Sequence, residues 1–475
     1  MRYTKIVATV GPACDTQEKL EALIQAGVDV FRLNFSHGTH DSHRRTITRI
    51  RAASRELGRE AAILQDLCGP KVRVGTMANG AIELVSGAET IVTSKEVIGT
   101  PERFQTQYSE LPKDVKPGER ILLDDGQLEL EVISTNGEDI RAKVLRGGKL
   151  KNHKGMNLPG VSVSAASVTA KDLDDLKVGI SEGVDFVALS FIRRPEDMEP
   201  VRQALANAYS QARVIAKIEK PEAIEHIDEI VKRADGVMVA RGDLGIEMPI
   251  QQVPMIQKRL IRLANQYDRY VITATQMLES MTSNPIPTRA EVSDVANAIV
   301  DGTDAVMLSG ETAAGFDPVG AVKMMAGIAG ETEKYLQSFP PLWDWKNTLS
   351  AENPLQDALG HAALRLVEDL KVKAIVVSTH TGGTALFMSK ARPFAPIIAY
   401  TPEAGAVRRL HLYWGVQPVH APKIKSRSEL GVAACRYLRE YGMAVPGDQI
   451  LLVSGTSFGH IGAADAIMVM EIKDE

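Results

Sequence analysis

The chain has little cysteine. In 475 residues only Cys14, Cys68 and Cys435 occur, far apart and in no metal-binding or redox spacing. That excludes a disulfide-stapled or zinc-ribbon scaffold and points to a reducing compartment. No apolar run is long enough to span a bilayer. No signal peptide precedes the strand-like run from Thr4 to Val10, so the cytoplasm is the expected location. Positive charge is not in excess. The formal net charge is −5, which gives no general pull toward nucleic acid or an anionic membrane. Walker-type Gly-Lys-Ser/Thr loops, EF-hand loops, low-complexity tracts and short repeats are all missing. What is present is a globular composition, 44% hydrophobic and 24% charged, able to bury large cores in about two to four domains.

The stretch from Val214 to Glu247 organises the rest. Val214-Ile-Ala-Lys-Ile-Glu219 is a short apolar run ending in Lys217 and Glu219. Ile224, Ile227, Ile230 and Val231 then fall on one face of a helix predicted from Ile224 to Ala234. A second apolar run starts at Gly236 and ends in Arg241, Gly242 and Asp243. Strand, helix, strand reads as a βαβ unit with parallel strands. Both charge clusters then emerge at C-terminal strand ends, where α/β barrels and open α/β sheets place their chemistry. One such ending is ordinarily just an ion pair. Two side by side suit a divalent cation held by a few carboxylates, with a lysine beside it.

The flanking chain supports a barrel. Strands are predicted at Thr4–Val10, Val28–Phe35 and Ala61–Gln65, separated by helices, the first capped by Thr16 and ended by Gly27. From about Lys71 to Ser167 helical periodicity disappears. Asn79-Gly80, Asp125-Gly126 and Asn136-Gly137 are hairpin signals, so an all-β insertion is expected. Gly69-Pro70 and Leu158-Pro159-Gly160 are its joints, which suits a swinging lid. The α/β rhythm returns at Ala170. Strands Phe186–Ser190, Tyr270–Thr275 and Ala305–Ser309 bring the total to eight, a (β/α)₈ barrel interrupted after its third strand. Ser338 to Pro354 reads as a connection to a C-terminal open α/β block with five strands. The expected domains are 1–70 with 167–337 (barrel), 71–166 (inserted β-barrel lid) and 338–475 (C-terminal α/β).

The predicted barrel strands end in polar groups. Arg32, Asn34 and Ser36 end the second, Asp66 the third with Arg73 following, and Lys217 and Glu219 the fifth. Asp243 ends the sixth, Thr275 the seventh, Ser309 and Glu311 the eighth. Polar loop starts are common, but this set divides by chemistry. Two carboxylates suit one metal, while arginines and a lysine suit an anionic substrate. Phosphoryl transfer needs that combination, because equatorial oxygen charge must be neutralised while the group is held in line.

Six segments in register resemble the pyruvate kinase family. They are Thr9-Val-Gly-Pro-Ala13, Phe31-Arg-Leu-Asn-Phe-Ser-His-Gly-Thr-His40, Lys154-Gly-Met-Asn-Leu-Pro-Gly160, Met238 to Glu247, Ala274-Thr-Gln-Met-Leu-Glu-Ser-Met281 and Met307-Leu-Ser-Gly-Glu-Thr312. The resemblance covers nearly the whole chain. It implies transfer of phosphate from phosphoenolpyruvate to ADP, giving pyruvate and ATP, with Mg²⁺ required and Mn²⁺ able to substitute. It implies that Glu219 and Asp243 ligate the metal and that Lys217 neutralises the phosphoryl group and the enolate. Arg32 would hold the transferring phosphate, and Arg73 would reach the nucleotide phosphates. Amides near Gly242 and Asp243, with the Thr275 hydroxyl, would grip the substrate carboxylate. Thr275 and Ser309 would relay the proton to enolpyruvate. Pro12, Asn34, His37 and Lys154 would face the nucleotide. A homotetramer is implied as well.

Several positions depart from the family pattern. Ser42 stands where an aromatic residue is common, and Ala314 where some members have lysine. The family's K⁺ site corresponds to Asn34, Ser36, Asp66 and Leu67. Here Asp66-Leu-Cys-Gly-Pro-Lys71 replaces an acidic residue with Lys71 and a threonine with Leu67, so K⁺ is expected to be dispensable. In the C-terminal block, Ser378, Thr379, Thr381, Gly382, Gly383 and Thr384 open a helix after an apolar strand, a loop suited to the phosphate of an effector or to a plain tight turn. Two other readings compete: a metal-dependent barrel doing carbon–carbon chemistry on an enolate, and a non-catalytic sensor of a phosphorylated metabolite. The lid and Lys154 oppose the first, and intact Lys217, Glu219 and Asp243 oppose the second.

Overall fold

The computed structural model describes residues 1–161, 163–339, 353–455 and 464–473. Eight parallel strands close into a barrel: Lys5–Thr9, Val30–Asn34, Ala62–Leu67, Phe186–Leu189, Arg213–Ile218, Gly236–Ala240, Tyr270–Ala274 and Ala305–Leu308. They are named the first to eighth barrel strands below. The fourth pairs with the third across the whole insertion, Phe186 opposite Leu64, and the eighth closes on the first, Ala305 opposite Lys5. Strands covered on both faces read as continuous apolar runs, which is why they were legible. Alternate residues divide between two packed cores. Val7, Leu64, Ile215, Met238 and Ile272 fill the barrel interior, while Ile6, Ile63, Val214, Val239 and Val271 pack under the helices.

The helix Gln17–Ala26 is capped by Thr16 and closed by Gly27, as predicted. The helix predicted from Ile224 to Ala234 is two helices, Pro221–Glu225 and Ile227–Arg233, with a break at His226. Pro221 starts the first of them. Ile227, Ile230 and Val231 are buried as expected, whereas Ile224 is only half-buried.

Among the described residues the insertion forms a six-stranded and a two-stranded sheet around its own apolar core, rather than a second closed ring of strands. It also contains one short helix, Leu111–Asp114. Asp125-Gly126 and Asn136-Gly137 turn antiparallel hairpins as expected. Asn79-Gly80 instead sits in a helical turn before Ala81–Leu84, a strand that pairs with the distant Gly148–Lys151. Asn79 takes a left-handed φ of 52° there, so the dipeptide marks a tight turn without specifying a local hairpin.

The C-terminal block is a five-stranded sheet with one antiparallel edge strand, Ala466–Glu471. The expected connection from Ser338 to Pro354 lies mostly outside the described residues. This block docks on the N-terminal ends of the barrel strands. Asp304, just before the eighth strand, meets Lys390 at 2.5 Å and Arg392 at 2.7 Å. Asp185, before the fourth, meets Arg408 at 2.8 Å. Lys5 donates to the Val416 carbonyl at 2.7 Å. The polar strand ends lie at the opposite rim, on the side of the inserted sheet domain.

Candidate active site

Asp66, Lys217 and Glu219 are buried together at the C-terminal rim. The Lys217 Nζ lies 2.8 Å from a Glu219 oxygen and 3.3 Å from Asp66 Oδ1, and donates to Ser190 Oγ at 2.7 Å. Ser190 Oγ in turn donates to the Leu67 carbonyl at 2.8 Å. Burial alone would lower the Lys217 pKa. Asp66, Glu219 and Asp243 outweigh it and hold the ammonium above the usual lysine range. The site therefore keeps a permanent positive charge next to its carboxylates.

Arg32 is fixed by the same aspartate. Its Nε donates to Asp66 Oδ2 at 2.7 Å, and its Nη1 to Thr9 Oγ1 at 3.0 Å. Burial works to raise the Asp66 pKa, but Lys217 and Arg32 together bring it below the ordinary carboxylate value. Asp66 thus orients both cations expected to meet the phosphoryl group, a duty the sequence did not reveal. Ser190 was missed as well. It ends the fourth strand and looks like an ordinary loop serine.

Glu219 and Asp243 lie at the ends of adjacent strands. Burial, with repulsion from Asp243, raises the Glu219 pKa, and Lys217 opposes the rise. Two oxygen-donor carboxylates whose charges repel are what a hard divalent cation relieves. Among the described residues no group of three or more His, Cys, Asp or Glu side chains is placed to hold a metal. A divalent cation bound here would have two carboxylates from the described residues, and other oxygens would complete its shell. The Phe191 amide donates to the second Glu219 oxygen at 2.9 Å, which fixes that carboxylate.

Gly242 and Asp243 open the short helix Arg241–Glu247. The Gly242 amide donates to Thr275 Oγ1 at 2.8 Å, and this hydroxyl donates to the Ala274 carbonyl at 2.7 Å. Thr275 and Gln276 both have left-handed backbones, φ 67° and 53°. For a threonine that conformation is strained and must be imposed. Arg241 imposes it. Its guanidinium turns from the rim, takes the Thr275 carbonyl at 2.6 Å and the Gln276 carbonyl at 3.2 Å, and is anchored on Asp294 at 2.6 Å. Arg241, at the charged end of the sixth strand, is thus a loop clamp. Glu311 is a second clamp. Buried, it accepts from the Leu278 amide at 3.1 Å and the Ser309 amide at 2.6 Å. The Ser309 hydroxyl is buried with no protein partner among the described residues.

The nucleotide-side residues are more exposed. Pro12 and His37 lie on the surface, and Asn34 and Ser36 are half-buried, with the Asn34 side chain accepting the Ser36 amide at 3.1 Å. Protein crowding, then the charges of Arg73, Lys71 and Arg32, depress the His37 pKa. Arg73 donates to the His153 carbonyl at 3.0 Å, and Lys154 pairs with Asp124 at 2.8 Å within the lid. Ser42 belongs to a reciprocal capping box with Thr39, so it is committed to starting the helix His40–Glu56. In the C-terminal loop, Thr379 Oγ1 accepts the Gly382 amide at 3.0 Å and Gly382 is left-handed, φ 101°. Thr381 and Gly383 are exposed; Ser378 and Thr384 are half-buried.

Comparison with known proteins agrees with this geometry. The family model for the pyruvate kinase barrel domain matches residues 1–322, and that for the pyruvate kinase alpha/beta domain matches residues 357–470. Curated pyruvate kinases of Staphylococcus aureus (strain MRSA252) and Geobacillus stearothermophilus are each 47% identical over the whole chain, which spans 81% of their length. A crystal structure of a pyruvate kinase from Cryptosporidium parvum superposes with a TM-score of 0.90 at 34% identity, covering 99% of this chain and 96% of that one. With both models matched, close relatives along its full length and a phosphoryl-transfer rim on a lidded barrel, the chain belongs to the pyruvate kinase family.

Proposed function

We propose that this is a potassium-independent pyruvate kinase in which fixed side chains supply the positive charge that the reaction needs. Its activity as a family member is transfer of the phosphoenolpyruvate phosphoryl group to ADP, in glycolysis. What supports the finer reading is the basic character of this rim, where Arg32 and Lys217 share the buried Asp66 and the charges of Arg73, Lys71 and Arg32 are felt at His37. Leu67 is buried and offers no oxygen from its side chain, while Lys71 is exposed at the start of the lid. A lysine ammonium here does what a monovalent cation does elsewhere, and Asn34, Ser36 and Asp66 need not bind one.

In this reading Glu219 and Asp243 hold Mg²⁺, with Mn²⁺ as a substitute. The metal supplies Lewis-acid stabilisation of the phosphoryl and enolate oxygens. Arg32 orients the phosphoryl group. Lys217 stabilises charge as the phosphorus–oxygen bond breaks and the enolate forms. The Gly242 amide exchanges its bond to Thr275 for one to the substrate carboxylate, and the amide of Asp243 adds a second. ADP enters past Pro12, Asn34 and His37, and Arg73 and Lys154 close over its phosphates with the lid. The Thr275 and Ser309 hydroxyls, with water, deliver the proton to the enolpyruvate methylene. The reading divides the chain into 1–70 with 167–337 (barrel), 71–166 (lid) and 338–475 (C-terminal block). A homotetramer, a cytoplasmic location and a phosphorylated effector at 378–384 complete the reading. No described helix is long and apolar enough to cross a membrane.

Glu219→Gln tests the metal assignment. The amide keeps one oxygen but loses the charge, so half-saturation by Mg²⁺ is expected to weaken on the order of tenfold. A coupled pyruvate assay at varied Mg²⁺ reads this out. An unchanged Mg²⁺ curve would remove Glu219 from the metal shell.

A further inference from the structure

Glu219 and Asp243 stand on two different loops, and something must fix their spacing. The next residue after Glu219 is Lys220. Its ammonium lies 2.7 Å from Glu247 Oε1 and 5.7 Å from the centre of the Phe191 ring. Glu247 is four residues after Asp243 on the same short helix, one turn away. The ion pair therefore bridges the two loops directly behind the two carboxylates. The same Glu247 oxygen accepts from Asn157 Nδ2 at 2.9 Å. Asn157 belongs to the lid, where it ends the strand Met156–Asn157 just before the Leu158-Pro159-Gly160 joint.

Lys220, Glu247 and Asn157 are all more than nine-tenths buried. Glu247 Oε2 is buried without a partner among the described residues. A carboxylate short of one hydrogen bond is an expensive way to pin a surface loop, and it calls for a role. A cavity of ≈ 30 Å³ lies alongside, lined by Pro70, Val72, Met156, Leu158 and Phe191 together with Lys220. Both segments joining the lid to the barrel pass it. That space holds about one water.

We propose that Lys220, Glu247 and Asn157 form a positioning latch, through which the lid sets the spacing of the loops that carry Glu219 and Asp243. None of the three touches substrate; they act through the carboxylates. The inference rests on the reading that Glu219 and Asp243 hold the divalent cation. Partners that orient metal ligands typically change metal affinity by about 10–100-fold when removed.

The test is direct Mn²⁺ titration by electron paramagnetic resonance, together with ADP kinetics, on the full chain. In Lys220→Met/Glu247→Leu an apolar pair replaces the ion pair, so neither charge is stranded. It is expected to fold and to bind Mn²⁺ about tenfold more weakly. Asn157→Ala cuts only the link to the lid. It should weaken Mn²⁺ binding, less than the double variant does, because the lid no longer holds Glu247, and it should raise KM for ADP as well. Glu219→Gln serves as the reference. If it binds Mn²⁺ like the wild type, the metal reading itself falls. If it binds weakly while the double variant binds normally, the latch alone is wrong. Should the double variant fail to fold, Asn157→Ala decides: unchanged Mn²⁺ binding overturns the latch.

Discussion

Lys217→Met is expected to lower kcat for ATP formation by about 10²–10³-fold, the usual cost of removing one preorganised group that acts on transition-state charge. The ammonium is held 2.8 Å from Glu219 and 3.3 Å from Asp66, and a hydrogen bond to Ser190 aims it. No rearrangement is needed when the phosphoryl group leaves and the enolate forms. Methionine fills a similar volume but brings no charge. Asp66 keeps Arg32 as a partner and Glu219 keeps the Phe191 amide, so the rim loses its chemistry before its shape. A coupled pyruvate assay with a circular dichroism melt separates the two. A folded variant retaining more than about half of wild-type kcat would contradict the role given to Lys217.

Asp304→Ala should destabilise the chain by about 3–5 kcal/mol, because it removes one partner of a buried ionic cluster. Asp304 accepts from the Val271 amide at 2.7 Å and meets Lys390 at 2.5 Å and Arg392 at 2.7 Å, all out of solvent. Burial already lowers the Lys390 pKa to about 8 despite the aspartate's pull. Without Asp304 it would shed its proton more readily, which limits the loss. Arg392 has no such escape, although its stacking over Trp414 at 4.9 Å remains. Urea unfolding measures the loss. The cluster is at the barrel end opposite the rim, so kcat of the folded fraction should hold. A loss below about 1 kcal/mol would show that the cluster contributes no more than a surface pair.

The barrel was legible because its strands are buried on both faces and each ends in polar residues. Lys217, Glu219 and Asp243 could be grouped from strand ends alone, since parallel neighbours put their C-termini side by side. Arg241 could not be separated from them. Only the fold shows its guanidinium turned onto the Thr275 and Gln276 carbonyls, and no local pattern distinguishes an anion-binding arginine from a loop clamp. Asp66 and Glu311 were placed at strand ends, but their duties, and the part played by Ser190, were hidden for a related reason. Each works through a partner far away in sequence: Arg32 and Lys217 for Asp66, Leu278 for Glu311, Lys217 and Leu67 for Ser190. Asn79-Gly80 misled because its turn residues are right for a hairpin, but the strand that follows finds its partner in Gly148–Lys151. Ser42, which stands where an aromatic residue is common, forms a capping box with Thr39 that the sequence pattern did not announce.

The central claim is that fixed charges replace a monovalent cation at this rim. It is tested most directly by comparing kcat in K⁺ and in a bulky organic cation at equal ionic strength, because surface electrostatics also respond to salt. With the exposed Lys71 ammonium at the start of the lid, the same kcat is expected in both. Lys71→Glu is expected to bring partial K⁺ dependence, completed by Leu67→Thr. A large loss of wild-type kcat on removing K⁺ would contradict the claim.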